Sequence, residues 1–348
     1  MIGLRQAAAV ALLASLGVIP GPVAPQVSAY RQWRIVHHLN LKAQNNWSGS
    51  GNPLVAPSRD QAWALGTIAR SGRIAGYFLE HWNGRRWRMT AVPGISLFPD
   101  GLAASGPDNV WLFGPNGREF VWDGQRWSRA QGTHGMTDYF PVVLSPSDVW
   151  TVGYNVCGQG SLDHWTGTSW SVVPLPQAIA GISGSSPRNF WVLTHPETSS
   201  CGRVRGTPLR AYRWNGKSFR RVRIPRIVPG RGLESFAVSS PRDIWLSEWR
   251  ENIIWHWNGH RWARINVKAV GIYIAPAPIV PDARGGAWIG GCWHWSRGVW
   301  HPIDYFITSC DETFGQARIP GTRSAWRLSI GTFGRYEEGT LEINGPVP

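Results

Sequence analysis

Lysine is nearly missing from this chain. Its 348 residues include three (Lys42, Lys217, Lys268), so the formal charge of +14 comes almost entirely from arginine. No basic run exceeds RRVR at 220–223, which excludes a long cationic tail. Arginine spread in this way suits either charge-held contact with an anionic polymer or a plainly solvated surface. Later in the chain no stretch reaches the 18 uninterrupted apolar residues of a membrane-spanning helix. No G-x-S-x-G elbow, phosphate-binding G-x-x-x-x-G-K-[ST], H-E-x-x-H or calcium loop occurs, so the chemistries those motifs carry are not expected. Only four cysteines occur, and none of their spacings is that of a zinc site. On these grounds no metal and no cofactor is expected.

What is plentiful is tryptophan, at 23 residues, and glycine, at 41. Aromatics with frequent turn residues favour an all-β chain. The N-terminus stands apart. One positive charge (Arg5), an apolar stretch from Ala7 to Ile19 and small residues at Val27-Ser28-Ala29 make a secretory signal peptide of residues 1–29. A single mature domain of residues 30–348, secreted and extracellular, is then expected.

The mature chain repeats. Each unit opens with a Ser/Pro/Asp turn and a tryptophan, as in SPSDVW (145–150), SSPRNFW (185–191) and SSPRDIW (239–245). The leading tryptophans are Trp63, Trp111, Trp150, Trp191, Trp245, Trp288 and Trp326, spaced 38 to 54 residues apart. Each unit then carries a hairpin, such as HWNGRRW (81–87), VWDGQRW (121–127), HWTGTSW (164–170) and HWNGHRW (256–262). Asn-Gly and Asp-Gly at its centre predict a type I′ turn. The hairpin tryptophans are expected to share a face and pack their own blade. Asp108, Asp148, Asp243 and Asn189 are expected to cap the turn between the first two strands. The repeated His81, His164, His256 and His294 are expected to be structural.

A unit of this length with two turn signals predicts a four-stranded sheet, and sheets repeated radially make a β-propeller. Six units are complete. The seventh has its first three strands near the C-terminus, ending in LEING (341–345), and finds its fourth in YRQWRIV (30–36). The expectation is a seven-bladed β-propeller whose last blade is closed by both termini. The S-P-x-D-V-W … H-W-N-G-x-x-W pattern resembles the kelch-like, galactose-oxidase-type propellers of secreted actinobacterial proteins. That resemblance implies the fold. The kelch Gly-Gly doublet occurs only at 285–286 and 290–291, and paired Tyr and His copper ligands are lacking, so copper oxidase chemistry does not follow from it.

In such a ring the repetitive turns share one end, and the loops between strands 2 and 3 and between blades share the other. The gap from leading to hairpin tryptophan varies from 7 to 23 residues. Variable loops on a rigid scaffold are where binding concentrates. The four cysteines fall at this end. Of three possible pairings, Cys157–Cys201 and Cys292–Cys310 join neighbouring loops. Candidate ligand residues there are acidic (Asp100, Asp138, Glu234, Asp311, Glu312) and aromatic (Trp47, Trp249, Trp293). The acids either meet a cation or polar ligand, act as acid and base, or pair with arginines such as Arg231. The tryptophans either stack on sugar rings and anchor a protein partner, or pack beneath loops. The expected function is a secreted, non-catalytic, monomeric binding module for a carbohydrate, cell-envelope polymer or protein. The alternative is a secreted glycan hydrolase or lyase with carboxylates at the channel mouth. Basic residues interleaved with hairpin aromatics follow the β-repeat, so no specific nucleic acid is expected.

Overall fold

The computed structural model describes residues 33–39, 45–47, 53–70, 73–91, 99–132, 138–154, 160–175, 178–195, 208–227, 233–248, 253–267, 278–303, 313–333, 336–346 and 348. Seven antiparallel sheets form a ring, and no helix occurs among the described residues. Blade 3 is typical, with strands Asp138–Ser145, Asp148–Tyr154, Gly160–Trp165 and Trp170–Val173 hydrogen-bonded in chain order. The first strands of successive blades approach one another all the way round, from Leu54–Val55 in blade 1 to Thr313–Arg318 in blade 7 and back. They therefore line the axis, and each fourth strand is an outer edge.

Blade 7 takes its outer strand, Trp33–His38, from the N-terminal side. It pairs with Tyr336–Asn344 in the register Trp33 to Asn344. A buried group of contacts fastens it. The Arg327 guanidinium donates to Glu342 and to the Gly291 carbonyl of blade 6, and lies over the Trp33 ring at 4.7 Å. The Trp33 indole N–H donates to the same Gly291 carbonyl. Blade 1 departs from the pattern. Its inner strand is in two pieces, Asn45–Trp47 and Leu54–Val55, both pairing with Ala62–Arg70.

The core is divided. Each of the seven junctions between blades holds its own cluster of buried apolar side chains. At its centre stands a leading tryptophan, between 0 and 7 % exposed in all seven blades. The hairpin aromatics of the next blade close over it. Trp122 and Trp127 meet Trp63 edge-on at 5.0 and 5.1 Å, and Trp82 and Trp87 meet Trp326 at 5.3 Å. Such pairs add about 0.5–1.5 kcal/mol each beyond area burial. The hairpin tryptophans therefore join blades and do not only pack their own: Trp257 and Trp262 of blade 5 lie against the cluster containing Trp191 of blade 4.

The Asn-Gly hairpins are not type I′ turns. Gly84, Gly124, Gly167, Gly216 and Gly259 have φ between +85° and +97°, but the residue before each glycine has no positive φ. The loop is four residues long, and its first residue acts through its side chain. Asn258 Oδ1 accepts from the backbone N–H groups of His260 and Arg261 at 3.1 Å, and Asn83, Asp123 and Asn215 do the same. Asparagine is present as a local acceptor, not for a left-handed backbone. A two-residue turn with both φ values positive does occur in blade 6, at Arg297 (51°) and Gly298 (81°), where Asn-Gly is missing.

Candidate functional site

The repeated polar residues settle into the walls between blades. Asp148, Asn189 and Asp243 do not cap their turns; they are buried at the start of second strands. Serine does the capping, with Ser145 and Ser240 accepting from Ser147 N–H and Arg242 N–H. Asp108 is out of register, exposed in the turn, and Asn109 takes its place. Each of these buried residues accepts the indole N–H of the leading tryptophan two positions on, at 3.0 Å from Asn109 and Asn189, 2.6 Å from Asp148 and 2.7 Å from Asp243.

The third strand reports which acceptor is present. Opposite Trp150 and Trp245 stand His164 and His256, stacked on the indoles at 3.7 and 3.9 Å with Nε2 2.9 Å from the aspartates. Opposite Trp111 and Trp191 stand Val121 and Arg213, and there the asparagine amide donates to Ser105 or Ser185. A carboxylate only accepts, so it needs two donors; an amide also donates, so it needs one donor and one acceptor. In blade 6 Asp282 takes the role of the acid, bonding His294 at 3.0 Å and accepting from the N–H groups of Arg284 and Gly286. Burial alone would raise its carboxyl pKa, but these hydrogen bonds and the charge of His294 hold it below the ordinary value. His81 has no such acid, and burial against Trp63 pushes its pKa down. All four histidines are thus engaged inside their own blades.

The residues proposed for binding lie elsewhere. Measured by strand register, those that stand on or beside described inner strands share one level of the axial ring. Trp47 pairs with Gly66, Asp138 with Gly153, Leu233 (beside Glu234) with Glu248, and Thr313 (just after Asp311 and Glu312) with Ser329. Each partner lies three residues beyond a leading tryptophan. Asp100 directly precedes Gly101, which pairs with Phe113, and its own N–H donates to the Phe113 carbonyl at 2.8 Å. The backbone therefore brings Trp47, Asp100, Asp138 and Glu234 to the loop-bearing end of the inner strands, on blades 1, 2, 3 and 5. Asp311, Glu312, Trp249, Arg231 and the cysteines Cys157, Cys201 and Cys310 lie outside the described residues.

Trp293 is not free on that face. It is half-buried between blades 5 and 6, edge-on to Trp300 at 6.4 Å. Cys292 beside it is buried and is not a free thiol. Of two residues missed by the sequence reading, Glu248 joins this level and His195 lies one residue beyond it. Glu248 is 6 % exposed and accepts the Trp255 indole N–H at 2.7 Å, which accounts for a tryptophan outside the repeat. His195 ends the second strand of blade 4 opposite Ala178, and burial lowers its pKa. Its position four residues after Trp191 was the only signal in the sequence.

No family model matches this chain, and no curated protein does. Solved structures do. Virginiamycin B lyase from Staphylococcus aureus, in a catalytically inactive form with quinupristin, superposes with a TM-score of 0.60 at 13% identity, covering 90% of this chain and 100% of that one. YCF48 bound to D1 peptide gives 0.57 at 11% identity, over 93% and 99%. The β-propeller domain of Cps50 (Swd1) from Myceliophteria thermophila gives 0.58 at 10% identity, over 90% and 100%. At these identities the likeness is one of fold: the chain is a seven-bladed β-propeller.

Proposed function

We propose that this protein is a secreted binding module of kelch-like repeat type, which takes a carbohydrate, cell-envelope polymer or extracellular protein at the loop-bearing end of its ring. One observation carries this: the register that brings Trp47, Asp100, Asp138 and Glu234 to a common level, whereas the repeated residues are consumed in packing. An acidic ring in an arginine-rich protein suits a ligand with hydroxyl groups or a cation, and tryptophan beside it suits the face of a sugar. The supporting frame is the signal-like N-terminus, with Cys157–Cys201 and Cys292–Cys310 as disulfides bracing the same end. Propellers bound to peptide, such as YCF48, show that this fold can serve as a docking surface.

The same acids favour a second reading, a glycan hydrolase or lyase, since carboxylates around a channel mouth are the groups such reactions use. A screen of glycans and cell-wall fragments at two salt concentrations tests the first. Binding should weaken at least tenfold in Trp47→Ala or Trp249→Ala, and unchanged affinity in both would remove the aromatic site. Turnover of any bound glycan, lost in Asp100→Asn or Glu234→Gln, would establish the enzyme instead.

A further inference from the structure

The positive charge of this protein is not spread evenly around the ring. Residues 178–227, which hold blade 4, contain ten Lys and Arg against one acid, Glu197. Residues 138–173, which hold blade 3, contain three Asp and no Lys or Arg at all. The segment of sequence that runs through blade 4 therefore carries a net charge of +9, against +14 for the whole chain. Arginine as a general compositional habit would populate neighbouring blades alike, and it does not.

The register of blade 4 then concentrates this charge on its outer strands, Arg210–Trp214 and Phe219–Val222. Arg213 stands directly opposite Arg220, and Tyr212 opposite Arg221. Arg221 and Arg223 alternate with Val222 and Ile224, which pack inward, so both arginines are exposed along the rim. Like charges directly opposite on adjacent strands are destabilising, and ordinary sheet design places an acid there. None does so here. Among the described residues, Arg210, Arg213, Arg220, Arg221 and Arg223 have no carboxylate partner, and Arg213 Nε is buried without a hydrogen-bond acceptor. Arg210, Arg221 and Arg223, with Leu209, Ala211, Val222 and Ile224, line an open hollow of about 500 Å³ on this edge.

We propose that the outer edge of blade 4 is a binding surface for an anionic polysaccharide carrying sulfate or phosphate groups, separate from the loop-bearing end and independent of the function assigned to it. The guanidinium fork matches a tetrahedral oxyanion with two parallel hydrogen bonds. Arg221 and Arg223, two residues apart, lie about 7 Å from each other along the strand, a spacing that successive charged groups of a polymer can meet together. Arg213 and Arg220 occupy the opposite face of the same two strands, so the cationic surface wraps the edge. A flexible polysaccharide follows such a curved surface, whereas an added acidic β-strand would reach only one row.

Binding of heparin and dextran sulfate to the full chain, measured by fluorescence anisotropy over a salt series, tests this. The affinity should fall linearly on a log–log plot against salt, by about one order per neutralised charge for each tenfold rise in salt. Arg221→Gln/Arg223→Gln should weaken binding at least tenfold and reduce the slope by about two. Arg85→Gln/Arg86→Gln, which removes the same charge from an exposed hairpin of blade 1, should leave it within twofold. Thermal melts of both variants confirm that the ring is intact. Equal losses in the two variants would reduce the effect to net charge and overturn the proposal. So would failure to bind either polysaccharide at low salt, or tighter binding of DNA or polyglutamate than of heparin.

Discussion

At the scale of single residues, the informative position is the one two before the leading tryptophan in blades 2 to 5. Aspartate there accompanies a histidine on the third strand, and asparagine accompanies a serine four residues earlier. The pairing is set by hydrogen-bond arithmetic inside a dry wall, where an unmatched donor or acceptor costs about 1–3 kcal/mol. Blade 5 offers a test, because Ser239 already stands four before Asp243, as Ser105 does before Asn109. Asp243→Asn alone strands the histidine, and His256→Val alone strands the aspartate. The double variant recreates the arrangement of blade 2. Urea unfolding should show it at least about 1 kcal/mol more stable than the sum of the two single losses predicts. Additive losses would mean that the two residues do not work as a unit. Sequence alone named Asp148, Asn189 and Asp243 but gave them the wrong task, and in blade 2 it named Asp108 in place of Asn109, since a Ser-Pro-x-Asp string does not reveal whether serine or aspartate closes the turn.

At the scale of the element, the hairpin is where pattern and geometry part. The strands and their pairing were legible from the tryptophan spacing, because cross-strand aromatics fix register. The turn type was not, because Asn-Gly serves two loop lengths and only the backbone distinguishes them. The same hairpin also touches the turn between the first and second strands of its own blade: a methyl group on Gly259 would lie 2.8 Å from the Arg242 side chain. Gly298 has an equally positive φ with nothing within 4 Å. Gly298→Ala should therefore cost about 1–2 kcal/mol from the left-handed backbone alone, and Gly259→Ala should cost more. Equal values by chemical denaturation would show that Arg242 moves aside freely.

At the scale of the whole ring, stability is tied to neutral histidines in three blades. Burial lowers the pKa of His81, His195 and His301, with His294 adding to the effect at His301. Below the unfolded value of about 6.5 the unfolded chain takes up protons that the folded one resists, so stability falls as pH drops through that point. Melting temperatures should be level above about pH 7 and decline steadily towards pH 5. His81→Phe, which keeps the stack on Trp63, should lessen the decline, and an unchanged profile would place the acid sensitivity elsewhere. Seven blades and a last one shared by both ends were readable in the sequence, because every blade needs the same buried tryptophan. The candidate site was readable only as a level of the ring. Its residues do not repeat, so nothing in the pattern fixes their neighbours.

The outer strand Trp33–His38 gives that ring a distinctive kinetics. Until it pairs with Tyr336–Asn344, the molecule is an open arc with an unpaired sheet edge at blade 7 and the Arg327 guanidinium without its indole cover. Closure is a reaction between two distant parts of one chain, governed by their effective concentration. In a crowded refolding mixture the same edge accepts the equivalent strand of another molecule with an identical set of hydrogen bonds. Dilution therefore favours the closed ring, and crowding favours strand-exchanged chains of molecules.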